Sequence, residues 1–182
     1  MNVCVFCASS SRVDAAFQDA ATALGRWIGA RGHTLVWGGC NVGSMDAVGR
    51  ATHEAGGRTV AIIPRFLVER GLAFGPADEQ VVTDDMQMRK AEFRRRADAF
   101  VALPGGIGTW EEVLEVLALA KLGQLDAPIL LANLSGYYDP LLLQLRHSVE
   151  AGFTPPEVPQ LLGVATSIAN LCVRLESASR RS

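Results

Sequence analysis

Two adjacent carboxylates, Glu111 and Glu112, close the stretch Pro104-Gly105-Gly106-Ile107-Gly108-Thr109-Trp110-Glu111-Glu112. An apolar run, Ala99-Phe100-Val101-Ala102-Leu103, precedes it, and Val113, Val116, Leu117 and Ala120 follow at helical spacing. A strand therefore stops, a glycine-rich turn follows and a helix begins. Free N–H groups and the positive end of the helix converge at such a turn, which makes it an anion site. The glycines remove the side chains that would keep a phosphate from the backbone. A simple phosphate cradle needs no carboxylates, so the two acids point to chemistry beside a phosphate. A second reading stands next to this one. Thr109-x-x-Glu112 has the spacing of a capping box, in which Thr109 caps the helix and Glu112 reaches back to its N–H. Glu111 equally suits the first helical turn as a favourable charge.

Arg89, Lys90, Arg94, Arg95 and Arg96 form a second group. On a helix, Arg89, Glu92, Phe93 and Arg96 share one side. Arg94 and Arg95 read as a solvated basic face. Arg89 differs, because it follows closely on a strand ending at Thr83 and so overlooks the mouth of a sheet. An arginine there either clamps a phosphate or holds a glutamate in place.

The elements that position these groups alternate along the chain. Strands are expected at Val3–Cys7, Thr34–Trp37, Thr59–Ile63, Gln80–Thr83, Ala99–Leu103 and Pro128–Asn133. Helices are expected around Phe17 to Ile28, over Ser44–Ala55, from about Asp85 to Ala97, after Thr109, from Asp139-Pro140 to Gly152, and near Ser167–Glu176. Asp139 is read as the cap of its helix, with Pro140 in the first position. This alternation implies a single-domain α/β fold, a parallel sheet with helices on both faces. The domain spans residues 1–176, and Ser177–Ser182 reads as a loose tail. Ligands bind such sheets at the carboxyl ends of the strands. Three loops there carry suitable residues: Ser9-Ser10-Ser11, Gly38–Gly43 and Gly105–Thr109. Gly38–Gly43 reads either as a tight strand-to-helix connection or as part of the binding site. Neither glycine turn matches the dinucleotide or P-loop pattern.

The chain has 182 residues, 49% of them hydrophobic and 20% charged, which suits one soluble domain with a sizeable core. A net charge of −2 gives no support for general nucleic-acid binding. No apolar run reaches membrane-spanning length and no secretory signal stands at the start, so a cytoplasmic protein is expected. Cys4 and Cys7 form a C-x-x-C, but Cys4 lies within a strand-like apolar run, and Cys40 and Cys172 make no second pair. Buried small apolar groups are the preferred reading of all four. No metal and no cofactor is expected.

Pro104–Glu112 matches P-G-G-x-G-T-x-x-E, and Met86-Gln87-Met88-Arg89-Lys90-Ala91 resembles M-x-x-R-K-A. At this separation the pair resembles the signature of the Lonely Guy family of cytokinin riboside 5′-monophosphate phosphoribohydrolases. Further similarity runs through Val3–Ser10, Trp37-Gly38-Gly39 with Val42–Met45, Ala61–Pro64 and Gly136-Tyr137-Tyr138, covering about residues 2–155. The resemblance implies a modified Rossmann fold, a homodimer or larger homo-oligomer, and hydrolysis of a nucleoside 5′-monophosphate to free base and ribose 5-phosphate. It implies that Arg89 and Glu112 are the catalytic pair and that Gly105, Gly106, Gly108 and Thr109 bind phosphate. Glu79, Lys90 and Glu111 are then expected to line the substrate site, together with Met86, Ser9, Gly38 and Gly39. Members have often been labelled lysine decarboxylases, yet nothing in this sequence resembles a pyridoxal-phosphate lysine site. Several positions depart from the family's commoner pattern. Gln87 stands where histidine is frequent and Ala8 where glycine is. Cys40 and Asp46 replace small residues, and Ala118 stands where a polar residue often lines the base site. These departures leave the base preference open.

Cleaving an N-glycosidic bond builds positive charge on the ribose. A carboxylate near the sugar stabilises that charge and activates water, while a held phosphate positions the sugar. Adenosine monophosphate and its isoprenoid-modified forms are the expected substrates, without nucleic-acid or membrane partners. The alternative is a non-catalytic nucleotide or cofactor carrier on the same fold, which would have no need of Arg89 with Glu112.

Overall fold

The apolar runs become seven short strands in a computed structural model that describes residues 1–179. In chain order the elements are β1 (Asn2–Phe6), α1 (Ala15–Ala30), β2 (Thr34–Trp37), α2 (Gly43–Glu54), β3 (Arg58–Pro64), α3 (Arg65–Glu69), β4 (Glu79–Thr83) and α4 (Met86–Arg96). They continue with β5 (Ala99–Ala102), α5 (Ile107–Lys121), β6 (Ile129–Ala132), α6 (Asp139–Glu150), β7 (Leu162–Ala165) and α7 (Ile168–Ser179). All strand pairs are parallel, in the order β4-β3-β2-β1-β5-β6-β7. The expected α/β architecture, a parallel sheet covered by helices on both faces, is present as a single sheet.

Strand β1 shows why both faces are covered. Its alternate residues point to opposite sides. Val3 and Val5, with Cys7 just past the strand, join one core with Leu24 and Ile28 of α1 and Leu171 and Leu175 of α7. Cys4 and Phe6 join the other with Phe93 of α4 and Val113 and Val116 of α5. A strand buried on both sides reads as an unbroken apolar run, as β1 does.

Four elements differ from the sequence reading. Strand β7 was not expected, because its four residues include Gly163, a weak strand former. A Cβ at Gly163 would stand 2.4 Å from Leu130 Cδ2 of β6, so the glycine makes room for that leucine. Helix α3, one turn and a half long, was also not expected. Helix α6 includes Asp139 rather than being capped by it. The Asp139 carboxylate accepts from Asn133 Nδ2 at 2.7 Å instead. At the end of the chain α7 continues through Ser179, so residues 177–179 are helical where a loose tail was expected. Residues 180–182 lie outside the described residues. Among the described residues no helix is long and apolar enough to cross a membrane.

Helices α1 and α2 pack on each other through small residues, and this contact seats the start of α2 beside the strand ends. A Cβ at Gly25 would stand 2.5 Å from the Val48 carbonyl, and one at Gly29 would stand 2.7 Å from the Thr52 carbonyl. Backbone cannot yield as a flexible side chain can, so Gly25→Ala forces the helices apart. We expect a loss of about 1–3 kcal/mol, read as an earlier urea midpoint. An unchanged midpoint would mean that the helix pair is looser than its geometry.

Candidate active site

The chain leaves β1 toward β2 on one side and reaches β5 on the other, so connections diverge between these neighbouring strands. A crevice opens at the carboxyl ends of strands at such a point. Here it is a cavity of about 540 Å³, walled by the loops after β1, β2 and β5 and by the first turns of α4 and α5.

Helix α4 delivers Arg89. The Asp85 carboxylate accepts from the Met88 N–H at 2.7 Å and fixes the helix start. Arg89 is 5% exposed. Its Nε donates to the Ile62 carbonyl at 3.0 Å, and its guanidinium lies over the Phe93 ring, 5.1 Å from the centroid. Gly38 is the floor beneath it, for any side chain there would occupy the position of Nη2.

Helix α5 delivers Glu112. The helix starts at Ile107 with Gly106 as its cap, and no side chain caps it. The first intrahelical bond is Trp110 N–H to Gly106 carbonyl, at 3.1 Å. The N–H groups of Gly106, Ile107, Gly108 and Thr109 precede it and belong to the helix end that favours anions. This overturns the capping-box reading. Thr109 stands three residues inside the cap, so Glu112 has no capping N–H to reach. The extended backbone of Gly106 lets the helix begin earlier than a threonine cap would. Glu112 is 6% exposed and its Oε1 lies 3.6 Å from Arg89 Nη1. Burial pushes its carboxyl up to about 7, further than the neighbouring Arg89 pulls it down. A carboxyl poised near neutrality inside a crevice suits acid–base work.

Of the residues singled out from sequence, Ser9, Met86, Arg89, Gly106, Gly108, Thr109, Glu111 and Glu112 line the cavity. Lys90, Gly38, Gly39 and Gly105 stand behind its walls. Lys90, 7% exposed, binds Glu111 and lies 3.5 Å from Glu115; the Glu111 contact raises its ammonium above the ordinary lysine range. Lys90 therefore holds Glu111 rather than facing a ligand. Gly39 adopts φ +66 and abuts Ala61, and Gly105 leaves the space that Thr109 fills. Glu79 is a correction. It opens β4 at the opposite end of the sheet, bound to Arg58 and Arg96 at 2.8 Å each, and takes no part in this cavity. Ala118 lies on the exposed side of α5, also away from it.

Of the apolar walls, only the Gly38–Gly43 turn, with Cys40 and Val42, stood out in the sequence. Leu67 and Leu72, on and after α3, and Val42 and Met45, around the start of α2, line the cavity. So do Cys7 and Cys40. Burial pushes both thiols up, which leaves them neutral and poorly nucleophilic. Apolar residues carry no signal that separates a cavity wall from a core. The strand-end positions of Cys7 and Cys40 were the available hint.

Residues 45–175 match the family model described as possible lysine decarboxylase. A probable cytokinin riboside 5′-monophosphate phosphoribohydrolase of Oryza sativa subsp. japonica is 44% identical over 177 residues, 97% of this chain and 72% of the relative. A cytokinin riboside 5′-monophosphate phosphoribohydrolase of Arabidopsis thaliana is 43% identical, across 96% of this chain and 77% of its own length. Among solved structures, the Moco carrier protein from Chlamydomonas reinhardtii superposes with a TM-score of 0.75 at 22% identity, covering 100% of this chain and 98% of that one. The molybdenum cofactor binding protein from Rippkaea orientalis gives 0.72 at 24%, covering 97% and 95%. At these identities the structural likeness speaks to the fold alone.

The raised Glu112 carboxyl makes a stability prediction. In the unfolded chain it ionises near 4.5; in the folded protein, near 7. Between those values the unfolded state gives up its proton first, so rising pH works against folding. Below the window both forms are protonated and the effect vanishes. Glu112→Gln removes the term. We expect the variant to gain on the parent by about 3 kcal/mol between pH 4.5 and 7.5, measured by urea unfolding at both values. A pH-independent difference would show that Glu112 ionises normally in place.

Proposed function

This chain belongs to the Lonely Guy family of cytokinin riboside 5′-monophosphate phosphoribohydrolases, and from that premise we propose how its cavity hydrolyses a nucleoside 5′-monophosphate. One observation carries the proposal: a buried Arg89–Glu112 contact opens onto the same cavity as the uncommitted N–H groups of Gly106, Ile107, Gly108 and Thr109. The phosphate sits on those N–H groups, assisted by the positive end of α5. Its binding energy places the ribose against Glu112. The C1′–N bond breaks with its electron pair on the base, which takes up a proton, and a water adds its hydroxyl to C1′. Ionised Glu112 stabilises the developing cation and orients that water. Arg89, anchored by Ile62 and Phe93, aligns Glu112 and favours its ionised form. Glu111, tethered by Lys90, faces the cavity where ribose hydroxyls would lie.

Plain adenosine monophosphate and its isoprenoid-modified forms are both proposed substrates. The apolar side chains of Leu67, Leu72, Val42 and Met45 support a base bearing an apolar substituent. A homodimer is supported by Met88, Trp110 and Leu114, large apolar side chains left exposed on the neighbouring helices α4 and α5. A reducing compartment such as the cytoplasm is consistent with four free, buried cysteines. The carrier alternative shares the fold, but gives no reason to bury an arginine against a carboxylate.

Incubation with isopentenyladenosine monophosphate and with adenosine monophosphate, followed by chromatography of the free base, tests the reading. Base release is expected; tight nucleotide binding without release from any nucleoside monophosphate would establish a carrier instead. Glu112→Gln is expected to lower kcat by about 10²–10⁴-fold while the protein remains folded by circular dichroism. The parent's kcat/KM should rise as pH passes about 7, where Glu112 ionises in the free enzyme. A flat profile across that range would remove Glu112 from the role.

A further inference from the structure

Gly136-Tyr137-Tyr138 stands outside the cavity, and the chemistry above makes no use of it. Yet both tyrosine hydroxyls reach back more than thirty residues to the loop that leads into α5. Tyr137 Oη donates to the Gly105 carbonyl at 2.6 Å, and Tyr138 Oη donates to the Leu103 carbonyl at 2.7 Å. The rings meet edge to face, 5.1 Å apart, and Phe17 of α1 packs edge-on against Tyr137 at 5.9 Å. Tyr138 is 1% exposed, and burial pushes its phenol well above the ordinary range, so it remains a donor.

The chain around the pair is built to hold it. Asn133 Oδ1 accepts from the Tyr138 N–H at 2.7 Å, Asn133 Nδ2 donates to Asp139 at 2.7 Å, and the Asn133 N–H donates to Ala165 of β7 at 2.7 Å. Ser135 and Gly136 turn the chain through φ 51 and φ 73. Left-handed backbone at a non-glycine residue is costly and marks a conformation that its surroundings impose.

Across a trans peptide the carbonyl and the next N–H point in opposite directions. Fixing the Gly105 carbonyl outward on Tyr137 therefore aims the Gly106 N–H the other way, toward the cavity that Gly106 lines. The peptide lies between two glycines, whose backbones resist rotation least. Turned over, it would present a carbonyl oxygen to an anion. We propose that Tyr137 and Tyr138 are positioning residues of the phosphate site: Tyr137 sets the Gly105–Gly106 peptide so that the Gly106 N–H, not the Gly105 carbonyl, faces the ligand, and Tyr138 anchors the start of the same loop at the Leu103 carbonyl, ahead of Pro104, which has no N–H to present. The proposal rests on the reading that this loop binds the 5′-phosphate.

Tyr137→Phe keeps the ring and removes only the hydroxyl. The test compares adenosine monophosphate, ribose 5-phosphate and phosphate-free adenosine by calorimetry, with kcat and KM for adenosine monophosphate. The expected result is a KM and a ribose 5-phosphate Kd raised about tenfold, kcat changed by less than about twofold, and an unaltered adenosine Kd. Equal weakening of all three ligands would indicate general loosening and overturn the proposal, as would unchanged phosphate affinity. If the parent binds neither phosphate-bearing ligand, the underlying functional reading falls and this proposal with it. Should Tyr137→Phe fail to fold, Tyr138→Phe frees the Leu103 carbonyl ahead of Pro104 and tests the anchoring of the loop: weakening confined to the phosphate-bearing ligands supports the proposal, and unchanged phosphate affinity overturns it.

Discussion

The site depends on keeping Arg89 and Glu112 together out of water. Removing two charges from solvent is expensive, and their attraction repays it only if geometry and further contacts are good. The fold supplies those contacts from four separate places: a carbonyl on β3, an aromatic ring on α4, the bare backbone of Gly38 after β2, and the first turns of α5. None of these is near another in sequence. The parallel sheet brings them together because all its strands end on the same side. Glu112 nevertheless carries a net desolvation cost, seen in its raised carboxyl. That retained cost is what gives a glutamate a proton affinity useful near neutral pH.

How much of this could be read from the sequence follows from the range of the interactions. Strand β5 is an unbroken apolar run, β1 and β2 are so after an opening Asn2 and Thr34, and the turn after β5 is a local pattern of glycines ahead of a helix, so strands and turn were legible. Arg89 stood out because it follows a strand end by six residues, and Glu112 because it is an acid in a glycine-rich turn. Distinguishing a capping box from a catalytic carboxylate was not possible locally. It hinged on whether the helix began at Ile107 or after Thr109, and glycine permits either. Glu79 failed for the opposite reason. The strand expected from Gln80 already placed Glu79 at its amino end, away from the carboxyl ends where ligands bind, and only the resemblance put it in the site; its partners Arg58 and Arg96 lie 21 and 17 residues away. Strand β7 and the Leu67–Leu72 wall were missed because a short strand with a glycine, or a short helix with one leucine and another just beyond it, carries too little periodicity.

Two kinds of surface meet in the cavity. One side is backbone N–H groups and paired charges, whose directions are fixed by hydrogen bonds to residues outside the cavity. The other is apolar, a kind of surface that discriminates by shape. Contacts of the first kind lose their effect if they rotate slightly, which explains why so much structure stands behind them: Gly105 making room for Thr109, Lys90 holding Glu111, and two phenols braced on the loop. Contacts of the second kind tolerate small shifts, and their discrimination is correspondingly modest, about 1–3 kcal/mol for a methylene.

Helices α4 and α5, which carry the two halves of the site, are joined across their flanks by Lys90 with Glu111 and Glu115, and by Arg94 with Glu115 at 2.8 Å. This seam is ionic and partly desolvated. The hydration that such charges give up becomes less favourable as temperature rises, so a shared network of this kind weakens less on warming than isolated pairs at lower temperature would suggest. Heat therefore acts on this molecule unevenly: the seam that keeps Arg89 and Glu112 in register is among the contacts that warming disfavours least.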